Sequence, residues 1–255
     1  MKGTPLRAIA IAAFAVLLAC ASAYALKIEI DKTVVSATAE ISPRALPTRG
    51  NAPVDVSSIT RIKTKDGTQA PALRKISFIF DKNGFVETKG LPTCSMAKLA
   101  ETTPPVARKR CAGAIVGEGV GKALVTLPGA PSVEISSPLT LFNAPPKGGQ
   151  PSLIAHAYET LPTPKAVLVP FSIERVKKGR YGFRVEIEVP EIADGYGSPT
   201  LAKATISKTW KQGGKTIGYT NAHCSGGRLQ VQGTLTLADG SFFPGTLTSP
   251  CHVAG

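Results

Sequence analysis

The chain is poor in the residues that the common hydrolytic and metal-dependent enzymes rely on. It has three histidines, His156, His223 and His252, and no G-x-S-x-G, H-E-x-x-H or P-loop pattern. A nucleophile-elbow hydrolase, a zincin and a P-loop nucleotidase are excluded as motif-based readings. Metal ligands two to four residues apart, the usual zinc spacing, are missing as well. Beyond residue 25 no apolar run approaches the roughly 20 residues of a membrane-crossing helix. Helical periodicity is nearly absent: residues 95–101, after Cys94, are the one stretch that shows it. Carboxylates are scarce, 17 against 30 lysines and arginines, for a formal net charge of +13.

Most of the aspartates have a local explanation. Asp66, Asp81, Asp194 and Asp239 all fall in turn sequences, where an Asx side chain hydrogen-bonds the backbone just ahead of it. Glu186 and Glu188 share the polar face of a strand, whereas a glycosidase needs its carboxylates in a cleft. His156 has Glu159 near it in sequence alone. No catalytic residue, cofactor or metal is therefore expected.

What the chain does have begins with a leader. Lys2 and Arg7 precede an apolar run over residues 9–19, and small residues then offer A-x-A cleavage sites at 21–23 and 23–25. Charge, apolar run and small-residue end follow the order of an export signal, residues 1–25. Leu17-Leu18-Ala19-Cys20 also looks like a lipobox, which would anchor the chain at Cys20. Ordinary cleavage is preferred, because Leu at the second lipobox position is uncommon. The expected localisation is secreted or cell-surface. Removing Lys2 and Arg7 leaves a charge of +11, which reads first as a solvated surface, with an anionic cell-envelope polymer as the candidate partner. The cations are scattered apart from the clusters at 107–110 and 175–180, and no nucleic-acid partner is expected.

From Leu26 on, short apolar runs separated by Gly, Pro and Asx turns predict an all-β fold, an antiparallel β-sandwich with one short helix after Cys94. Residues 42–53 read as a loop. Residues 73–88 read as a hairpin about an Asn83-Gly84 type I′ turn. In residues 95–101 Ser95 would cap a helix, Met96, Leu99 and Ala100 would face inward, and Pro104 and Pro105 would end it. Residues 112–127 read as one long strand whose Gly113, Gly117, Gly119 and Gly121 allow close packing. The cleanest alternation is at 181–189, with Tyr181, Phe183, Val185, Ile187 and Val189 on the buried face. Residues 26–255 are expected to form one domain; the alternative is two lobes joined by a linker at 144–150.

Residues 200–251 read as two successive β-hairpins, turning at 211–214 and 238–240. His223-Cys224 closes the first and Cys251-His252 the second. Opposed strands would put His223 across from His252, but neighbouring residues on a strand point to opposite faces. Cys and His would then be separated, so a four-ligand site does not close. Cys94, Cys111, Cys224 and Cys251 are an even set in an exported chain, which argues for two disulfides. Three pairings are open. Cys94–Cys111 with Cys224–Cys251 is preferred, since each bridges the flanks of a local unit.

The runs Leu91-Pro-Thr-Cys94-Ser-x-x-Lys98-Leu99, Arg110-Cys111-x-Gly113-Ala-x-Val116-Gly117-x-Gly119 and Leu247-Thr-Ser-Pro-Cys251 carry a likeness. Over residues 73 to the C-terminus the chain resembles a family of uncharacterised secreted actinobacterial proteins. That resemblance implies export and the cysteine framework, and it implies no activity or ligand. The expected function is a structural or binding role at the cell envelope. The alternative is a secreted hydrolase acting on envelope polymers or carbohydrate.

Overall fold

The structure, a computed structural model, describes residues 25–254. The expected export signal, with Cys20, falls on residues 1–24 and Ala25, of which all but Ala25 lie outside the described residues. The chain runs β1 (Leu26–Ile30), β2 (Thr33–Ser42), β3 (Ala45–Leu46), β4 (Ala52–Pro53), β5 (Asp55–Thr64), β6 (Leu73–Asp81) and β7 (Gly84–Val86). Two short helices follow, α1 (Met96–Leu99) and α2 (Pro104–Arg110). Then come β8 (Ile115–Val125), β9 (Val133–Lys147), β10 (Gln150–Glu159), β11 (Lys165–Lys178) and β12 (Tyr181–Glu188). The last third holds β13 (Gly197–Ile206), β14 (Thr209–Gln212), β15 (Lys215–Gly218) and β16 (Thr220–Ala222). It closes with β17 (Arg228–Leu237), β18 (Phe242–Pro250) and β19 (His252–Val253).

The fold is all-β. Twelve strands make one sheet in the order β1-β2-β5-β13-β8-β9-β10-β11-β12-β6-β17-β18, with every neighbouring pair antiparallel. Its edges meet, because β1 and β2 pack against β18. Leu26 occupies the space that a side chain at Gly245 would need. The sheet thus wraps round on itself, nearly barrel-like, with both halves contributing to one interior. Val35 and Ile62 from β2 and β5 meet Leu73, Leu235, Leu237 and Phe243 from the other edge. Farther along, Leu141, Leu153, Ile173 and Val185 gather around the fully buried Tyr219. Edge-to-edge packing of this kind hides strand edges that would otherwise recruit other chains.

The glycines of β8 let the sheet bend. A Cβ on Gly117 would sit 2.6 Å from the Thr205 carbonyl oxygen, and one on Gly119 would run into the Lys203 carbonyl oxygen. At these two positions β13 comes so close to β8 that no side chain fits between them.

Strands β9 and β10 are covered on both faces. Leu141, Leu153 and Ala155 point into the interior. Phe142 and Ile154 alternate outward and are sealed by Leu99, Ala107 and the cystine of Cys94 and Cys111. The helices exist as a lid over this second apolar face. Leu99 is buried, as expected, but Met96 and Ala100 are exposed: a single turn resting on a flat surface can turn only one side chain inward. Ser95 stands at the N-cap without a side-chain cap bond. Pro104 and Pro105 follow the first helix and also open a second, α2, where a missing N–H costs nothing.

Several local expectations are changed by what lies next to each segment. β6 already has β12 and β17 on its two sides, so β7 cannot fold back on it and pairs with β16 instead. The Asn83-Gly84 turn is not type I′, since neither residue has a positive φ; it is an Asx turn, with Asn83 N–H donating to Asp81 Oδ1. The expected loop at 42–53 contains β3 and β4. The expected strand at 112–127 opens with a 3-10 turn over Ala112–Ala114 before β8 begins. The expected linker at 144–150 is the end of β9 and a hairpin turn at Gly148 and Gly149, both with positive φ. Pro145 and Pro146 fall beside an irregularity in the β9–β10 ladder, where their missing donors do no harm. In β12 Val185 is buried while Tyr181, Phe183 and Ile187 are half-buried, with a register shift at Gly182.

Candidate functional site

Because all twelve strands of the main sheet are antiparallel, successive connections fall alternately at its two ends. One end, the turn end, takes the connections 31–32, 65–72, 126–132, 160–164, 189–196 and 238–241. The other takes 43–54, 82–114, 148–149, 179–180, 207–227 and the C-terminal segment. Both helices, all three small accessory sheets and both disulfides belong to this second end. Cys94 is bonded to Cys111 and Cys224 to Cys251. Two disulfides of this kind suit an oxidising, extracellular environment.

Charge divides along the same line. At the stapled end residues 43–54 bring Arg44 and Arg49. Residues 82–114 bring Lys82, Lys89, Lys98, Arg108, Lys109 and Arg110, and residues 179–180 bring Arg180. Residues 207–227 add Lys208, Lys211 and Lys215. Glu87 and Glu101 are the carboxylates of these segments, so they carry a net charge of +10. The turn-end connections hold Asp31, Asp66, Glu191, Asp194 and Asp239 against Lys32 and Lys65, a net of −3. Pairing follows suit. Lys32 and Lys65 both form ion pairs at the turn end. In the stapled-end connections Arg108 pairs with Glu118 at 2.6 Å and Arg180 with Asp81 at 2.9 Å. The other ten cations have no ion-pair partner among the described residues. Like charges gathered this way repel one another, and both disulfides lie at that end.

The stapled end also holds an open cleft of about 490 Å³, lined by Ala112, Ile115, Val116, Gly117 and Glu118 on one side and by Thr205, Ser207, Lys208 and Thr209 on the other. Local irregularity makes it. The β8–β9 ladder breaks between Ile115 and Gly117, and β13 ends at Ile206, after which Ser207 N–H makes one last bond to the Val116 carbonyl. The chain then swings off the sheet into the β14–β15 hairpin.

The histidines and carboxylates singled out by the sequence are dispersed. His156 is fully buried beneath the helical lid, donating from Nε2 to the Thr102 carbonyl at 3.0 Å, with Phe142 edge-on. Burial holds its pKa below the ordinary imidazole value. Glu159 is also buried, at the turn end, where it accepts from Ala193 N–H at 2.8 Å and pairs with Lys165 at 3.0 Å. Lys165 in turn has its pKa raised by its bonds to Asp194 and Glu159. Glu186 and Glu188 share Lys75 on the exposed face. His223 is not across from His252: its Nδ1 lies 3.1 Å from Asn51 Oδ1, whereas His252 sits in β19, paired parallel with β3. No group of three or more His, Cys, Asp or Glu side chains placed to share a metal occurs among the described residues.

Sequence reading missed Lys208, Ser207 and the division of charge between the two ends. The charges themselves are in the sequence, but which connections share an end follows only once the strands of the main sheet are told apart from the accessory ones.

Compared with protein-family models the chain matches none, and no curated protein matches it. Among solved structures it is similar to the N-terminal domain of an adhesin from Streptococcus gordonii, at 13% identity and a TM-score of 0.33. That match covers 85% of this chain and 32% of the other, so the chain spans about a third of the length of that solved chain.

Proposed function

We propose that this is an extracytoplasmic binding protein of the cell envelope whose stapled, cationic end holds an anionic polymer. One observation carries the reading: a net charge of +10 in the connections of one end against −3 at the other, with most of the cations unpaired. A soluble surface needs charge, but it does not need one sign collected at one pole. Concentrated positive potential attracts a polyanion and orients the domain as it approaches. The leader and the disulfides support export, and a stable sheet presenting variable connections is a common scaffold for binding.

Retention of the purified mature domain on anionic envelope polymer, measured across a salt series, tests this. Binding at low salt that falls steeply as the Debye length shrinks is expected. Replacing Lys82 and Lys109 by Glu should weaken it severalfold, while Lys32→Ala at the turn end leaves it unchanged. Absence of salt-sensitive retention, or equal effects at both ends, would overturn the proposal.

A further inference from the structure

Charge alone gives attraction without selectivity, and the cleft at the stapled end has the features that would add it. Its volume lies within the range of small-molecule sites. Its two walls differ in chemistry. Ala112 and Ile115 offer apolar surface, while Thr205, Ser207 and Thr209 offer hydroxyls. Two charged side chains line it. Glu118 is held by Arg108 at 2.6 Å, so its charge is already compensated. Lys208 has no ion-pair partner among the described residues and is half-buried. The balance of the cleft is therefore one uncompensated ammonium, set among hydroxyl groups beside an apolar wall.

An acidic sugar matches each part. Its carboxylate or phosphoryl group would meet Lys208 Nζ in a charge-assisted hydrogen bond. Ring hydroxyls would bond Ser207, Thr209 and the remaining lone pairs of Glu118. The C–H face of the ring would lie on Ala112 and Ile115. We propose that this cleft is a subsite for one acidic saccharide unit of the polymer, with Lys208 reading the anionic group. This rests on the reading of the stapled end as a polyanion-binding surface, and it names the ligand class. The site owes its existence to backbone features: the break in the β8 ladder and the departure of the chain at Ser207.

Trp210 makes the idea testable. It is the single tryptophan of the chain, it is half-buried against the interior cluster around Tyr219, and it directly follows Thr209, which lines the cleft. The probes are a tetrasaccharide of uronic acid, a short sugar-phosphate oligomer and a neutral maltotetraose, each titrated against the mature domain with Trp210 fluorescence as the readout. A saturable change is expected with one or both acidic probes and none with the neutral one; the acidic arm that binds tells carboxylate from phosphoryl recognition. Lys208→Ala should weaken that binding about tenfold and Lys208→Arg should largely keep it. Lys177→Ala, at the same end but away from the cleft, should leave it intact. Salt-sensitive retention on polymer without acidic-probe binding, or equal binding by wild type and Lys208→Ala, would overturn the cleft while the polymer reading stands. Loss of polymer retention as well would overturn both.

Discussion

Arg180 grips Asp81 at the stapled end, with Nε and Nη2 at 3.1 and 2.9 Å from the same oxygen, Oδ2. Asp81 is 4% exposed and also accepts from the backbone N–H groups of Asn83 and Gln230. One carboxylate thus ties the β11–β12 hairpin to β6 and β17. Removing the guanidinium leaves that buried charge short of its strongest partner. Because Arg180 itself is partly exposed, Arg180→Ala should cost about 2 kcal/mol rather than the larger figure for a fully buried pair. Urea denaturation should show a lower midpoint with an unchanged slope.

The two staples should be separable. Their closed segments of 17 and 27 residues give, by loop entropy, about 3 and 3.5 kcal/mol. Replacing Cys94 and Cys111 together by Ser should free the helical lid and expose amides near Phe142 to hydrogen exchange. The same change at Cys224 and Cys251 should loosen β16 and β19 and leave the lid protected. Each double variant should also be more stable in high salt, where the repulsion among the cations is screened.

His156 predicts a stability that depends on pH in a definite direction. Desolvation under the lid lowers its pKa in the folded state, against an ordinary value of 6.5. As pH falls through about 6.5 the unfolded chain takes up a proton that the folded chain resists. The contribution of neutral His156 is complete above that pH. Below it, stability falls by up to about 1.4 kcal/mol per unit until the folded-state pKa is reached. Thermal melts between pH 7.5 and 5 should show the drop, and His156→Gln should flatten it.

The glycines of β8 offer a matched pair of substitutions. Gly119→Ala drives a methyl group into the Lys203 carbonyl and should destabilise by about 2–3 kcal/mol, whereas nothing lies within 4 Å of a Cβ at Gly121. Gly121→Ala should therefore stay within about 0.5 kcal/mol of the parent. Comparable losses at both positions would mean that the close approach of β13 to β8 is not what fixes glycine here.

The residues alone settled whatever depends on near neighbours in sequence. Alternation over 181–188 specified a strand, the Asx turns explained Asp66 and Asp239, and cysteines 17 and 27 residues apart found each other because short loops close cheaply. Tertiary structure decided everything that depends on which strand lies beside which. β7 left its expected hairpin because β6 was already paired on both sides, and Gly148-Gly149 became a turn because β10 lay within reach of β9. His223 and His252 were separated when β16 and β19 took different partners. The cleft at Lys208 and the cationic pole are of the same kind: they gather segments far apart in the chain, brought to one end by antiparallel pairing that no local pattern encodes.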